Sequence, residues 1–262
     1  MSGAAMIAEC LAQHGGMRCV TREDLLAAVN SYGGLATRIA EQIRNAEHAY
    51  EQFSNIRRPY LILMRRALLE CAREGGLAYF GYSGHLLVPR IAHFVRIRLI
   101  APIEQRLARA RRSLGCGEPE AREYLRNVDA ERARWARMMY GVDIRDPAGY
   151  DICINLERLS LQGACELLAK ARGQTDFQPT PGSLAHVENE YLATQVLAAL
   201  VTNAETLPVE INAVASEGAV RLIGPYLARD PMRTVLAIAG AVPGVREVEY
   251  EPGYAPAFGY AS

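Results

Sequence analysis

The chain has 262 residues, with 29 basic and 29 acidic side chains and a formal net charge of zero. Half of its residues are apolar and 22% are charged, a composition typical of globular rather than disordered proteins. Its only lysine, Lys170, precedes Ala171, which excludes a Walker A loop because that motif needs Lys directly before Ser or Thr.

The charges are unevenly distributed along the chain. Residues 1–183 carry 25 basic and 20 acidic side chains, a net charge of +5, whereas residues 184–262 carry 4 and 9, a net charge of −5. Opposite signs favour two domains over one. The segment 173–183, GQTDFQPTPGS, is polar and rich in proline and glycine, so it is the predicted linker between them.

Helices and strands alternate in the predicted first domain, residues 1–172. Gly15-Gly16 ends the first helix, Thr21 caps the next, and Pro59 interrupts a long helical region. Buried strands between helices favour an α/β fold with a parallel sheet. The predicted elements are helix 3–14, strand 17–20, a helix after Thr21, a helical region 35–73, strands 77–80 and 94–100, helices 103–114 and 118–140, strand 150–155, and a helix from Ser160 to Arg172.

The predicted second domain, residues 184–251, is a small α/β module. Val209, Ile211 and Ala213 lie at alternate positions, as do Val220 and Leu222, which is expected for a sheet with one face covered by helices. The remaining residues, 252–262, are predicted to form a flexible tail. The predicted elements are helix 184–202, strands 207–214 and 219–223, helix 229–241 and strand 245–250.

The cysteines and the chain ends point to a cytoplasmic protein. No apolar run approaches the roughly 18 residues of a membrane-spanning helix, and the N-terminus lacks a basic leader. The cysteines form no CxxC pair and no Cys/His grouping, so we expect reduced thiols and no zinc site. They are Cys10, Cys19, Cys71, Cys116, Cys153 and Cys165.

The most informative motif is the pair Asp129 and Arg132, three residues apart on one face of a predicted helix. Over about residues 2–172 the surrounding pattern resembles the cytidylate kinase-like family of P-loop nucleoside monophosphate kinases. The resemblance implies a P-loop kinase-like parallel sheet with helices on both faces. The other matching features are Asp-Pro-x-x-Tyr-Asp at 146–151, a strand ending at Asn155, Leu159-Ser160 opening the last helix, and an Ala-Pro pair before the Arg-bearing helix 103–114.

The same resemblance implies roles for four side chains. Asp129 and Arg132 would contact the monophosphate substrate, whereas Arg106 and Arg109 would lie near the phosphates of the donor. Arginine suits this task because its planar guanidinium clamps phosphate oxygens in pairs. The alternative interpretation is that the charged residues of this helix form a solvated face.

The chain departs from the family pattern at two places. Ser2 and Gly3 match only the end of the family's glycine-rich phosphate loop, so they are the predicted remnant of a cofactor site for ATP with Mg²⁺. The family's first strand has no counterpart, and we expect another chain, or another part of this one, to cover the resulting gap in the sheet. Tyr82 stands where the family usually has Arg. A truncated sequence or a misplaced start codon would give the same pattern.

Residues 184–251 resemble a BON domain. The features that match are the glycine-bounded strand from Gly218 to Gly224, a helix, and then Pro243-Gly244-Val245 before the last strand. BON domains are associated with binding phospholipid surfaces or other proteins. The net charge of −5 disfavours an anionic membrane, so the resemblance implies protein interaction or self-association, with a purely structural appendage as the alternative.

Three functions therefore compete. The first is a degenerate nucleotide-kinase-like protein with a regulatory or scaffolding role, mediated by the BON module. The second is an active nucleoside monophosphate kinase that transfers phosphate from ATP to CMP or dCMP; no catalytic residue is assigned for it. The third, nucleic-acid binding, rests on nine arginines against six acidic residues in 104–137, a weak excess of positive charge.

Overall fold

The chain folds into two units, each assembled from segments that are distant in sequence. The computed structural model describes residues 2–45, 56–81, 83–88 and 90–254. One unit comprises Met1–Thr21, Gly76–Leu86 and Ala92–Pro179, and the other comprises Arg22–Gly75, Leu87–Ile91 and Thr180–Ser262. The change of unit after Pro179 falls inside the predicted linker, while residues 22–75 join the C-terminal segment.

Most elements lie close to their predicted positions. The helices are α1 (Ala4–Gly15), α2 (Arg22–Asn30), α3 (Gly34–Asn45), α4 (Arg57–Arg73), α5 (Ile103–Leu114), α6 (Glu118–Tyr140), α7 (Leu161–Arg172), α8 (Pro181–Val201) and α9 (Arg229–Gly240). The strands are β1 (Arg18–Thr21), β2 (Leu77–Phe80), β3 (Ile97–Ile100), β4 (Ile152–Asn155), β5 (Asn212–Ser216), β6 (Ala219–Gly224) and β7 (Glu247–Pro252).

Several boundaries differ from the predictions. Helix α8 begins at Pro181, inside the predicted linker and before the predicted residue 184, because Thr180 caps it by accepting a hydrogen bond from the Ser183 amide. Pro59 does not interrupt a helix; it is the third residue of α4, where a missing backbone N–H costs nothing. Strand β5 begins at Asn212 rather than at residue 207, because Thr206 Oγ1 donates a hydrogen bond to the Leu200 carbonyl and closes a turn there. Strand β3 begins at Ile97, after a loop. Tyr82 and residues 255–262 of the predicted tail lie outside the described residues.

The first unit contains parallel strands, as predicted for its α/β class. Strand β1 pairs with β2, starting at Arg18 opposite Leu77, and β3 pairs with β4, starting at Ile97 opposite Ile152. Among the described residues these pairs form two separate two-stranded sheets rather than one larger sheet. Helix α1 packs against β1, β2 and α7. The core between α1, α7 and the second pair consists of Ile7, Leu11, Ala101, Ile154, Leu156, Ala164, Cys165 and Leu168.

A disulfide corrects the prediction that all cysteines are reduced. Cys10 of α1 is bonded to Cys165 of α7, with their Cα atoms 6.3 Å apart and a separation of 155 positions in sequence. Spacing along the chain cannot reveal such a pair, because only the packing of α1 on α7 brings the sulfurs together. The other four cysteines remain thiols.

In the second unit a three-stranded mixed sheet packs against α8 and α9. Strands β5 and β6 are antiparallel, and β6 and β7 are parallel. The alternation predicted for Val220 and Leu222 is confirmed, since both side chains are buried in the core with Val196, Ile211 and Val235. Helix α4 packs along α8 and against α2. No helix in the described ranges is long and apolar enough to cross a membrane.

Candidate functional site

The candidate site lies at the carboxyl ends of β3 and β4. Beyond β3 the chain passes through Ala101 and Pro102 into α5, and beyond β4 it passes through Leu156 into α7. The Leu156 amide donates a hydrogen bond to the carbonyl of Ile100, 2.7 Å away, which holds the two strand ends together. Ligands of parallel α/β sheets bind at this edge, because the following helices begin there.

The first turn of α1 supplies backbone amides to this region. Gly3 is its N-cap residue, with φ +106° in the left-handed region, and neither a capping side chain nor an acidic residue satisfies the turn in the described structure. The first N–H groups of a helix have no acceptor within it, and its macrodipole makes this end positive. An anion is therefore favoured at the start of α1.

Gly3 also lies in close contact with the start of α7. A Cβ atom at this position would be 2.7 Å from Cδ2 of Leu161, so a larger residue would be both strained and crowded. Ser160 caps α7 as predicted, its Oγ accepting a hydrogen bond from the Gly163 amide at 3.0 Å. The starts of α1 and α7 are thus packed against each other.

We expect Gly3→Ala to lower the free energy of unfolding by about 2 kcal/mol, because it adds both a left-handed alanine and a clash. Gly33 is the matched control: its φ is +114°, but no atom lies within 4 Å of a Cβ placed there. Gly33→Ala should cost about 1 kcal/mol, from strain alone. Urea denaturation measures both, and Leu161→Ala should recover part of the Gly3→Ala loss. Equal losses of stability at the two glycines would show that crowding against Leu161 does not contribute to the effect.

Arg109 ties α5 to Ser2, the residue before the N-cap of α1. Its Nη1 donates to the Ser2 carbonyl at 2.9 Å, and its Nη2 donates to Gln105 Oε1 at 3.3 Å. Gln105 in turn donates through Nε2 to the Glu157 carbonyl at 3.2 Å, beyond β4. The structure therefore brings together Ser2, Gly3 and Arg109, three residues predicted to bind the cofactor.

Arg106 and Asp129 form a second pair beside this network. The guanidinium binds the carboxylate with two hydrogen bonds of 2.8 and 2.6 Å, and the Arg106 side chain is 18% exposed. Asp129 lies on α6 and was predicted to contact the substrate. In the structure it positions Arg106, which lies on the neighbouring helix α5 and was predicted to bind the cofactor. Arg132 is half-buried three residues further along α6. The bidentate geometry fixes the Arg106 fork in place.

The Asp-Pro-x-x-Tyr-Asp segment has structural roles that the sequence did not reveal. Asp146 Oδ1 accepts a hydrogen bond from the Ala148 amide and starts a short helical turn. Asp151 Oδ1 and Oδ2 accept hydrogen bonds from the Arg96 side chain at 2.6 and 3.0 Å. Because Arg96 precedes β3 and Asp151 precedes β4, this ion pair joins the amino ends of the two strands, opposite the candidate site.

His85 packs against the same end. Its ring centroid lies 4.4 Å from that of Tyr150, whose hydroxyl donates to the Ile144 carbonyl. Burial lowers the pKa of His85 to about 4, and the positive charge of Arg96 adds to the effect. No sequence pattern marks His85, since the ring it packs against, Tyr150, is more than sixty positions away.

The site fits phosphate groups through amides and arginines. Lys170 lies in the last turn of α7, about 13 Å along the helix axis from Leu161 by the 1.5 Å rise per residue, at the other end of the helix. The described residues include no group of three His, Cys, Asp or Glu side chains arranged to hold a metal ion. In nucleotide sites Mg²⁺ is held largely by phosphates and water rather than by a protein cage. Whether ATP with Mg²⁺ fits this site therefore depends on the groups that bind the phosphates.

Comparisons with known proteins agree with this architecture. A crystal structure of an uncharacterized protein from Eubacterium ventriosum ATCC 27560 superposes with a TM-score of 0.50 at 15% identity, covering 66% of this chain and 92% of that one. At this identity the likeness concerns the fold alone. No curated protein matches the chain. The model of the cytidylate kinase-like family matches residues 1–158, which is more than half of the sequence. The chain therefore belongs to the cytidylate kinase-like family.

Proposed function

We propose that this chain is a degenerate nucleotide-kinase-like protein that binds a nucleoside phosphate and has a regulatory or scaffolding role. The observation that carries the proposal is the arrangement at the carboxyl ends of β3 and β4. There the start of α1 is tied through the Ser2 carbonyl to Arg109, beside the Arg106 fork held by Asp129. Amides and guanidinium groups are the donors that phosphate oxygens require.

The degenerate role is favoured because lysine, a common phosphate-binding residue of kinases, does not lie beside these arginines and amides. The single lysine lies in the last turn of α7, away from the start of α1. Phosphoryl transfer depends on several positive groups that clamp the transferred phosphate, and a lysine beside the donor phosphates is a common one. Arginines and amides alone support binding more readily than turnover.

The second candidate is an active nucleoside monophosphate kinase that transfers phosphate from ATP to CMP or dCMP. The fixed Arg106–Asp129 pair favours it, since a positioned guanidinium is what a phosphoryl-transfer site requires. With ATP and Mg²⁺ bound, the cofactor would supply the phosphoryl group. Arg106 and Arg109 would hold phosphate oxygens, and Arg132 and Asp129 would orient the acceptor.

One experiment distinguishes these candidates. The full chain is incubated with Mg-ATP and CMP or dCMP, and ADP release is measured beside thermal stabilisation by each nucleotide. The degenerate role predicts stabilisation without ADP, and stabilisation that is lost in Arg109→Gln but kept in Arg126→Gln, an exposed control on α6. ADP release abolished by Arg132→Ala would establish the kinase instead. No stabilisation by any nucleotide would refute both.

We also propose that the C-terminal module mediates protein interaction, as its resemblance to BON domains implies. Its order of elements, α8-β5-β6-α9-β7, and its mixed sheet support this. Glu247, Glu249 and Glu251 are exposed and alternate along β7 with half-buried Val248 and Tyr250. A partner with a basic face would complement this strip. Sedimentation at increasing salt concentration tests self-association. A monomer at every protein and salt concentration would exclude self-association and require that the partner be a different protein.

The two separate sheets of the first unit suggest a second place where another strand could bind. Every side chain of β2 and β3 is only half-buried or exposed, which is unusual because parallel sheets are normally buried on both faces. We propose that a further strand, from another chain or from elsewhere in this one, pairs with the edge of β2 or β3 against which no strand lies in the described part of the chain. Hydrogen exchange measures this: rapid exchange of every β2 and β3 amide at all protein concentrations would contradict it.

A further inference from the structure

The Cys10–Cys165 disulfide joins the two helices whose first turns meet at the candidate site. Helix α1 has 12 residues, and helices of this length are marginally stable without tertiary support. Part of its support comes from α7, since Ile7 and Leu11 share a core cluster with Ala164 and Leu168. The disulfide adds a covalent link within that contact.

The link is placed to influence the first turn of α1. Cys10 lies two turns beyond Gly3, and Cys165 lies one turn beyond Leu161, the residue against which Gly3 is packed. Holding α1 to α7 at this point restricts how far the start of α1 moves away from Leu161. Amides that are already in position bind an anion more tightly, because less order has to be imposed on binding.

The two sulfurs differ in their access to solvent. Cys165 is 2% exposed, whereas Cys10 is only half-buried and its Sγ lies 4.0 Å from Oε1 of the exposed Gln162. A small thiolate can therefore attack the Cys10 sulfur and form a mixed disulfide, with Cys165 leaving as a thiolate that takes a proton from water. A second small thiol then releases Cys10. Two small thiols are oxidised to one disulfide while the protein disulfide gains two electrons and two protons.

We propose that Cys10 and Cys165 form a reversible redox clip that orders the start of α1, and through it sets the affinity of the phosphate site. The affinity part rests on the proposed function; the ordering part does not. In the oxidised chain α1 is held on α7 and the amides after Gly3 are preorganised. In the reduced chain only noncovalent packing holds the helix.

The experiment uses the full chain, equilibrated without denaturant in mixtures of reduced and oxidised glutathione. Thiols are counted by N-ethylmaleimide labelling and intact mass, and the link is located by peptide mapping. Hydrogen exchange of residues 4–8 reports the order of α1, and calorimetry with inorganic pyrophosphate reports the phosphate site. Cys10→Ser removes the clip, whereas Cys153→Ser, at an exposed thiol on β4, is the matched control.

We expect oxidation to protect two thiols, mapped to Cys10 and Cys165, and to slow exchange in residues 4–8. Pyrophosphate should bind the oxidised form more tightly by roughly fivefold or more, a typical allosteric coupling. Cys10→Ser should lose these responses and Cys153→Ser should keep them. Failure of the link to form or to be reduced, or exchange unchanged by it, would overturn the clip. Altered exchange with no pyrophosphate binding in either form would support the clip and refute the phosphate site.

Discussion

Replacing Arg58 with methionine is expected to lower the free energy of unfolding by about 3 kcal/mol. The Arg58 guanidinium, near the start of α4, donates hydrogen bonds to the carbonyls of Ile211 and, at 3.4 Å, Val209. Burial lowers the pKa of Arg58, and Glu210 opposes the effect, so the charge lies where water compensates it poorly. Methionine keeps the apolar stem and leaves both carbonyls without their charged donor.

Urea denaturation of the full chain measures the loss. Arg58→Lys keeps the charge without the two-pronged fork, so it should fall between the wild type and Arg58→Met. Arg233→Met, at an exposed position on α9 in the same unit, is the matched control and should change stability by less than about 0.5 kcal/mol. Comparable losses of stability at both arginines would mean that the hydrogen bonds to Val209 and Ile211 do not stabilise the fold.

The same arginine shows why the elements were more predictable than their grouping. Hydrophobic periodicity and capping residues located α5, α6 and α7 closely, because those signals are local. Nothing local indicates that Arg58 binds backbone carbonyls 151 and 153 positions away, those of Val209 and Ile211. Residues 22–75 are therefore grouped with the C-terminal segment by long-range contacts that no pattern along the chain encodes.

The candidate site divides in a similar way. Ser2, Gly3, Arg106, Arg109 and Asp129 were singled out by residue type and family resemblance. In the structure they fall into two groups: Arg109 contacts Ser2 next to Gly3, and Arg106 binds Asp129. Their particular partners were not predictable. Asp129 binds an arginine on another helix, a choice decided by the packing of α5 on α6.

The environment of His85, which the sequence did not reveal either, predicts a large dependence of stability on pH. Lowering the pH from about 6.5 to 4 should remove roughly 3 kcal/mol of stability through this side chain alone. In the unfolded chain a histidine has a pKa of about 6.5, whereas burial, with the charge of Arg96, holds the pKa of folded His85 at about 4. Above the unfolded pKa the ring is neutral in both states and stability is unaffected.

Between those two values the unfolded chain binds a proton that the folded chain does not, so each pH unit costs about 1.4 kcal/mol. His85→Gln removes the titration, and its stability should fall less steeply with acid than that of the wild type when both are measured by urea denaturation. His186→Gln, on a partly exposed face of α8, is the control and should follow the wild type. NMR gives the direct check, because a His85 ring that titrates near 6.5 in the folded chain would contradict both its burial beside Tyr150 and the expected acid sensitivity.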